Sequence, residues 1–336
     1  MYHILAADIG GTHCRLAYFT GSSHSLLLQN SYSLPTAHVP DSAALLELFA
    51  TQVCPLPCRL QDMDMLAVAV AGPLQGALRA RTSNAALEID LSHFAAQGPR
   101  ARVLCNDFVA QAWACCSPAV EAARCVFAGE KPQVAQGPSG LPLLPRAVIG
   151  AGTGLGAAAV YPAPHGRPIA LASEAGHAPF PFSGGGPRGR TERAYEDFLL
   201  RACHVPYATV DIVLSGRGLC LLHQFLHGQI LDAHDIAARY LHGDSDTCVY
   251  FSTFLGRMCR QWVLTTLCTG GLYITGGVAM KNPVLVQCPA FAEAFYDSQN
   301  FGSFLRSIPV FLNTNAGSGL WGAAWAGLQA LEEQQA

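Results

Sequence analysis

Apolar residues in this chain fall into short continuous runs that stop abruptly at glycine, proline or a lone acid. Ile4 to Ala7 climbs to Asp8; Gly10, Gly11 and Thr12 then turn the chain, and a second apolar strand leaves through Leu16 and Tyr18. A third strand is expected around Ser31 to Leu34, followed by Asp41 as the N-cap of a helix carrying Leu45, Leu46, Leu48 and Phe49. Leu66 to Ala71, closed by Gly72 and Pro73, reads as a buried central strand. Arg102 to Cys105 is another strand, halted at Asn106-Asp107-Phe108, with a helix from Val109 to Cys116. A link rich in proline and glycine runs from Gly137 to Pro145, after which Ala147 to Ala158 repeats the opening plan about 140 positions on: strand, Gly152-Thr153-Gly154, strand. That repeat predicts two lobes with related sheets, each offering a glycine hairpin to a shared cleft. Further on, Glu192 to Ala202 is amphipathic, and Thr247 to Cys268 is apolar nearly all round, as a buried helix should be. Leu272 to Thr275 is a strand running into Gly276-Gly277, and Ile308 to Leu312 is the last strand. Gly317-Ser318-Gly319 opens a final helix with Leu320, Trp321, Trp325, Leu328 and Leu331. Strands alternating with helices mark an α/β chain, and the opening hairpin excludes a purely parallel sheet.

Composition narrows the class. With 336 residues, 51% of them apolar and 13% charged, the chain has ample material for one or two domains with large cores. A net charge of -3 without a basic block argues against nucleic acid or an acidic membrane as partner. The twelve histidines form no pair at metal-ligand helical spacing in an acidic setting. Thirteen cysteines are an odd count without paired Cys-x-x-Cys elements. Cys54 and Cys58 bracket a proline-containing loop, Cys115, Cys116, Cys259 and Cys268 lie in apolar stretches, and reduced structural thiols are expected. The N-terminus enters a strand directly, with no basic leader, and no apolar segment reaches ~18 residues, so a cytoplasmic location is expected.

The candidate chemistry sits at strand ends. Consecutive glycines let backbone N–H groups converge on an anionic oxygen, and Asp8 beside such a nest suits Mg²⁺, which keeps most of its waters and uses few carboxylates. A plain tight hairpin is the competing reading. Gly10, Gly11 and Thr12 would clamp phosphates from one lobe and Gly152, Thr153 and Gly154 from the other, with Gly276 and Gly277 giving close approach to a base or ribose. Neither Gly-x-Gly-x-x-Gly after the first strand nor a Gly-Lys-Ser/Thr loop is present. Asp107, where a strand ends and a helix begins, is the carboxylate best placed for proton transfer, with helix N–H groups favouring its ionised form; alternatively Asn106 and Asp107 are an N-cap pair. Glu174 and His177, three apart beside Gly176, suit a polyol, or are a solvated loop acid and a core histidine. Asp211, before Ile212 to Gly216, either caps locally or completes a polar pocket.

In their order along the chain these motifs resemble the bacterial glucokinase family, within the actin-like, hexokinase-type superfamily. The resemblance rests on Asp8-Ile9-Gly10-Gly11-Thr12, Asn84, Asn106-Asp107-Phe108, Gly150 to Gly156, Glu174-Ala175-Gly176-His177, Leu214-Ser215-Gly216-x-Gly218 and Gly276-Gly277. It lacks the cysteine-bearing zinc motif of the related ROK sugar kinases. It implies a two-lobed actin-like (ribonuclease H-like) fold, each lobe a mixed sheet with flanking helices. The small lobe would hold residues 1–109 plus 317–336 and the large lobe 110–316. It implies transfer of the ATP γ-phosphoryl group to the 6-hydroxyl of glucose at the head of glycolysis. Asp107 would be the base; Asn84, Asn106, Asp107, Glu174, His177 and Asp211 would bind sugar; Asp8 would act through Mg²⁺ by way of water; and the glycine turns would hold ATP. Family habit adds a homodimer. Three departures bear on sugar preference: the usual glutamate is Asp211, the second glycine of Glu-Gly-Gly-His is Ala175, and the aromatic three after Asn84 is Leu87; the insert 183–190 also looks long. Rival readings are a kinase for mannose or fructose, a catalytically weak sugar-binding regulator, and a chaperone-like ATPase.

Overall fold

The computed structural model describes residues 1–22, 25–82, 87–95, 98–129, 144–163, 168–185 and 188–334. Asn84, most of the link at 137–145 and part of the insert at 183–190 lie outside the described residues.

Thirteen strands are described: β1 Tyr2–Ile9, β2 His13–Ser22, β3 Ser25–Pro35, β4 Met65–Val70, β5 Arg79–Arg81, β6 Glu88–Asp90, β7 Ala101–Asn106, β8 Arg124–Phe127, β9 Arg146–Ala151, β10 Leu155–Tyr161, β11 Ile169–Ala172, β12 Leu272–Thr275 and β13 Val310–Leu312. One sheet runs β3-β2-β1-β4-β7 and the other β11-β10-β9-β12-β13-β8, while β5 and β6 form a separate hairpin. In the first sheet β1 pairs antiparallel with β2 and parallel with β4, and β4 pairs parallel with β7. In the second, β9 pairs antiparallel with β10 and parallel with β12, and β12 pairs parallel with β13. Strand order and direction therefore repeat over five strands, as the doubled glycine hairpin predicts; β8 is an addition at one edge.

Burial on both faces explains the unbroken apolar runs. In β1, Leu5, Ala7 and Ile9 pack with Leu45 and Phe49 of the helix Ser42–Gln52. Ile4 and Ala6 face the opposite core, which also takes Val148, Ala158 and Val160 of the second sheet. Between the sheets lie the helices Asp107–Ala114 and Ser318–Glu333, contributing Ala110, Ala112, Ala323, Ala324 and Leu328. Their approach is close enough that a Cβ on Gly322 would overlap the Ala110 carbonyl oxygen. Beyond the second sheet, Phe251, Phe254 and Leu255 of the helix Asp246–Thr266 cover Ile149, Ala157 and Ile274.

Local details follow from sequence. Asp41 caps its helix, accepting the Ala44 N–H at 3.0 Å. Strand β3 is longer than Ser31 to Leu34, because its edge position leaves most side chains exposed and no alternation marks its start. Cys268 lies just beyond the long helix instead of within it. All thirteen cysteines are free, with Cys14, Cys105, Cys115, Cys116, Cys248, Cys259, Cys268 and Cys288 buried. Burial pushes the Cys105 thiol up to about 12, which keeps it protonated and inert. No helix among the described residues is long and apolar enough to cross a membrane.

Candidate active site

Asp8 and Asp107 stand at the carboxyl ends of β1 and β7, two parallel strands separated by β4, where open α/β sheets gather ligands. Asp8 is in register with Ala69 of β4, and Ala69 with Cys105 of β7. Two strand spacings put the Cα atoms of Asp8 and Cys105 roughly 10 Å apart, with Asp107 two residues further on.

Asn106 is the N-cap of the helix Asp107–Ala114: its Oδ1 accepts the Phe108 N–H at 2.9 Å, and its Nδ2 lies 3.5 Å from the Gly72 carbonyl oxygen. The capping reading is therefore realised for Asn106. Asp107 Oδ1 also accepts the Phe108 N–H, at 3.0 Å. Backbone N–H groups at the helix start do favour ionised Asp107, as expected, but they do not decide its titration. Burial, the Asp8 charge and a smaller push from Glu174 outweigh those hydrogen bonds and raise it to about 7. A carboxyl poised there can accept a proton from a hydroxyl near neutral pH. The Phe108 ring occupies the space a Cβ on Gly156 would need, locking the start of this helix against β10 of the second sheet.

Asp8 is buried and faces Arg15 across the hairpin at 3.6 Å; burial outweighs that cation and raises Asp8 to about 6. Gly319, in the first turn of the C-terminal helix, abuts the Asp8 carboxylate, and a Cβ there would lie 2.5 Å from Oδ2. The first glycine turn closes through Gly10 N–H to His13 carbonyl at 3.0 Å. Buried Thr36 pins it from outside: its hydroxyl donates to the Gly10 carbonyl at 2.7 Å and its N–H to the Thr12 carbonyl at 2.9 Å. Gly11 is half-buried and Thr12 exposed at the turn.

The second turn closes through Gly152 N–H to the Gly154 carbonyl at 2.7 Å, with Thr153 exposed at its tip. The Gly216 N–H, at the start of the helix Gly216–His227, donates to the Gly152 carbonyl at 2.9 Å. Because Thr275 of β12 is in register with Gly150 of β9, Gly276 and Gly277 emerge beside this turn. Gly276 has φ +86° and presses on the Ala151 backbone, so both its conformation and its space require glycine. Gly152 to Gly154, the Gly216 helix start and Gly276-Gly277 thus come together at one end of the second sheet.

Glu174 and His177 follow β11 on a short turn, Ala175–His177, with Glu174 Oε2 3.8 Å from His177 Nε2 and 74% and 73% of their side chains exposed. That exposure rules out the core-histidine reading of His177. Ala175 has an ordinary negative φ and is accommodated, while Leu87 is buried in the first-lobe core. Asp211 is turned onto the second hairpin: its Oδ1 accepts the Leu155 N–H. Among the described residues, Asp232, His234 and Asp235 also bring three ligand atoms within 4.8 Å, on the exposed surface, where Asp232 is already the cap of its helix.

Sequence reasoning missed Thr36, Arg15, Gly319 and the Phe108–Gly156 contact as parts of the site. The Gly154-x-Gly156 spacing was a readable signal for the last. Nothing local points to the others.

The glucokinase family model matches residues 5–330. The glucokinase of Nitrobacter hamburgensis is 32% identical over 333 residues, covering 94% of each chain. A glucokinase from an Antarctic psychrotroph superposes with TM-score 0.77 at 24% identity, over 97% of this chain and 99% of that one. A ROK-family glucokinase from Streptomyces griseus, solved with glucose and AMPPNP, gives 0.57 at 16% identity, over 97% and 99%. The two-lobed actin-like fold is thus shared, more fully with the first structure than with the ROK one. By the extent of the family match and of the Nitrobacter alignment, this chain belongs to the glucokinase family.

Proposed function

We propose that this protein transfers the γ-phosphoryl group of ATP to the 6-hydroxyl of glucose, with Asp107 as the base. The observation that supports this is a buried carboxyl raised to about 7, within electrostatic reach of Asp8 and Glu174, on a helix whose Phe108 packs against Gly156 just after the second glycine turn. Asp107 takes the hydroxyl proton as the oxygen attacks phosphorus, and the two glycine turns with Gly276 and Gly277 hold the phosphates. Glu174, His177 and Asn106 orient the sugar, with Asn84 proposed beside them. Catalysis of this kind is mostly positioning and charge stabilisation. Asp8, a buried carboxylate that faces Arg15 beside the first turn, fits Mg²⁺ held through water, which when bound would neutralise phosphate charge. We further propose that the body built on the first sheet closes on the body built on the second and excludes water, and that the enzyme works in the cytoplasm as a homodimer. The division expected at 109/110 moves past Ala114, because the helix Asp107–Ala114 is continuous and packs on Gly322 of the C-terminal helix.

Asp107→Asn tests the assignment. It should bind glucose with wild-type affinity while kcat falls by about 10²- to 10⁴-fold. Turnover near wild type in that variant would show that the proton leaves by another route.

A further inference from the structure

The stretch from Ala208 to Gly216 touches both halves of the site. The Phe180 N–H donates to the Ala208 carbonyl at 2.8 Å and the Val210 N–H to the Ala178 carbonyl at 3.0 Å, tying the stretch to the segment just after His177. At its other end the Gly216 N–H reaches the Gly152 carbonyl at 2.9 Å. Asp211 sits between these ties. Its Oδ1 accepts the Leu155 N–H, directly after the Gly152–Gly154 turn. Gly154 lies so close to that carboxylate that a Cβ would overlap it, and a Cβ on Gly176 of the sugar loop would lie 3.6 Å from the same Oδ1. Gly176 also packs onto the Leu155 carbonyl oxygen, where a Cβ would not fit. Both backbone groups of Leu155 are therefore bracketed, the N–H by Asp211 and the carbonyl by the sugar loop.

We propose that Asp211 is a positioning residue that fixes the nucleotide hairpin and links it to the Glu174–His177 loop, and is not a ligand of the sugar. The reading rests on the kinase function proposed above. With one methylene fewer than a glutamate, the side chain is short enough to end on the backbone of the turn. An oxygen acceptor is all that this role demands; a negative charge is not.

The test compares Asp211→Ala with Asp211→Asn, measuring kcat, both KM values and glucose binding by calorimetry without nucleotide. In Asp211→Ala the KM for ATP should rise and kcat fall, together costing about tenfold in kcat/KM for ATP, while the glucose Kd stays within about twofold of wild type. Asp211→Asn keeps an oxygen acceptor for Leu155 and should restore ATP parameters to within about threefold, again with unchanged glucose Kd. A glucose Kd raised about tenfold in Asp211→Asn, or ATP parameters unchanged in Asp211→Ala, overturns the proposal. Should Asp211→Ala fail to fold, Asp211→Asn still decides, because a sugar ligand would lose its charge-assisted bond there. Failure of the kinase reading would appear separately, as wild-type protein without sugar-dependent ADP release.

Discussion

Asp107 and Asp8 set the pH behaviour of this protein in two opposite senses. As the proposed base, Asp107 must be ionised, so kcat/KM should fall about tenfold per pH unit below its value of about 7. Stability runs the other way. Unfolded aspartates titrate near 3.9, whereas folded Asp107 and Asp8 titrate at about 7 and about 6, so the folded chain retains protons that the unfolded chain has released. Their contribution is complete below about pH 4 and is lost as pH rises through 6 to 7. Asp107→Asn should therefore stabilise the ligand-free protein at pH 8, by an amount of order 1–3 kcal/mol, and leave it near wild type at pH 4. Paired thermal melts at the two pH values read this; stabilisation at pH 4 alone would refute it. A second residue-scale prediction concerns Glu192, which is 1% exposed and holds Arg257 through contacts of 2.7 and 2.8 Å. Glu192→Ala leaves the partly buried Arg257 guanidinium without its carboxylate, with the Pro181 carbonyl at 3.0 Å still accepting from it, and should cost about 3 kcal/mol in urea unfolding, with a loss under 1 kcal/mol showing that the pair is dispensable.

At the scale of elements, the two helices between the sheets depend on missing side chains. Gly322→Ala drives a methyl into the Ala110 carbonyl and should destabilise by about 1–3 kcal/mol. Gly243→Ala, with open space and no positive φ, should stay within about 0.5 kcal/mol. Equal urea midpoints for the two variants would contradict the packing described. This scale also shows what was legible in the sequence. Strands β4, β9 and β12 were readable because burial on both faces writes an unbroken apolar run, and the glycine turns because local chain reversal needs those residues. Thr36 and Asp211 were not readable in these roles: they brace turns lying 26 and 56 positions away, and no local period records such a contact. The net effect on Asp107 was equally hidden, because burial and Asp8 act through space while the helix cap is visible in the adjacent residues.

On the scale of the molecule, one plan is used twice. Each sheet presents an antiparallel hairpin followed by two parallel strands, so each carries a glycine turn between its antiparallel strands. The doubled motif made this architecture legible, whereas the edge strand β8 and the short strand β11 left no comparable mark. The central claim is that these parts transfer phosphate to a sugar and not to water. Its most direct test follows ATP with and without glucose by phosphorus NMR, for the wild type and Asp107→Asn. Expected are one glucose 6-phosphate for each ADP, no ADP without glucose, and both products from the variant at a rate lower by about 10²- to 10⁴-fold although it still binds glucose. ADP formed at the same rate without sugar would contradict it.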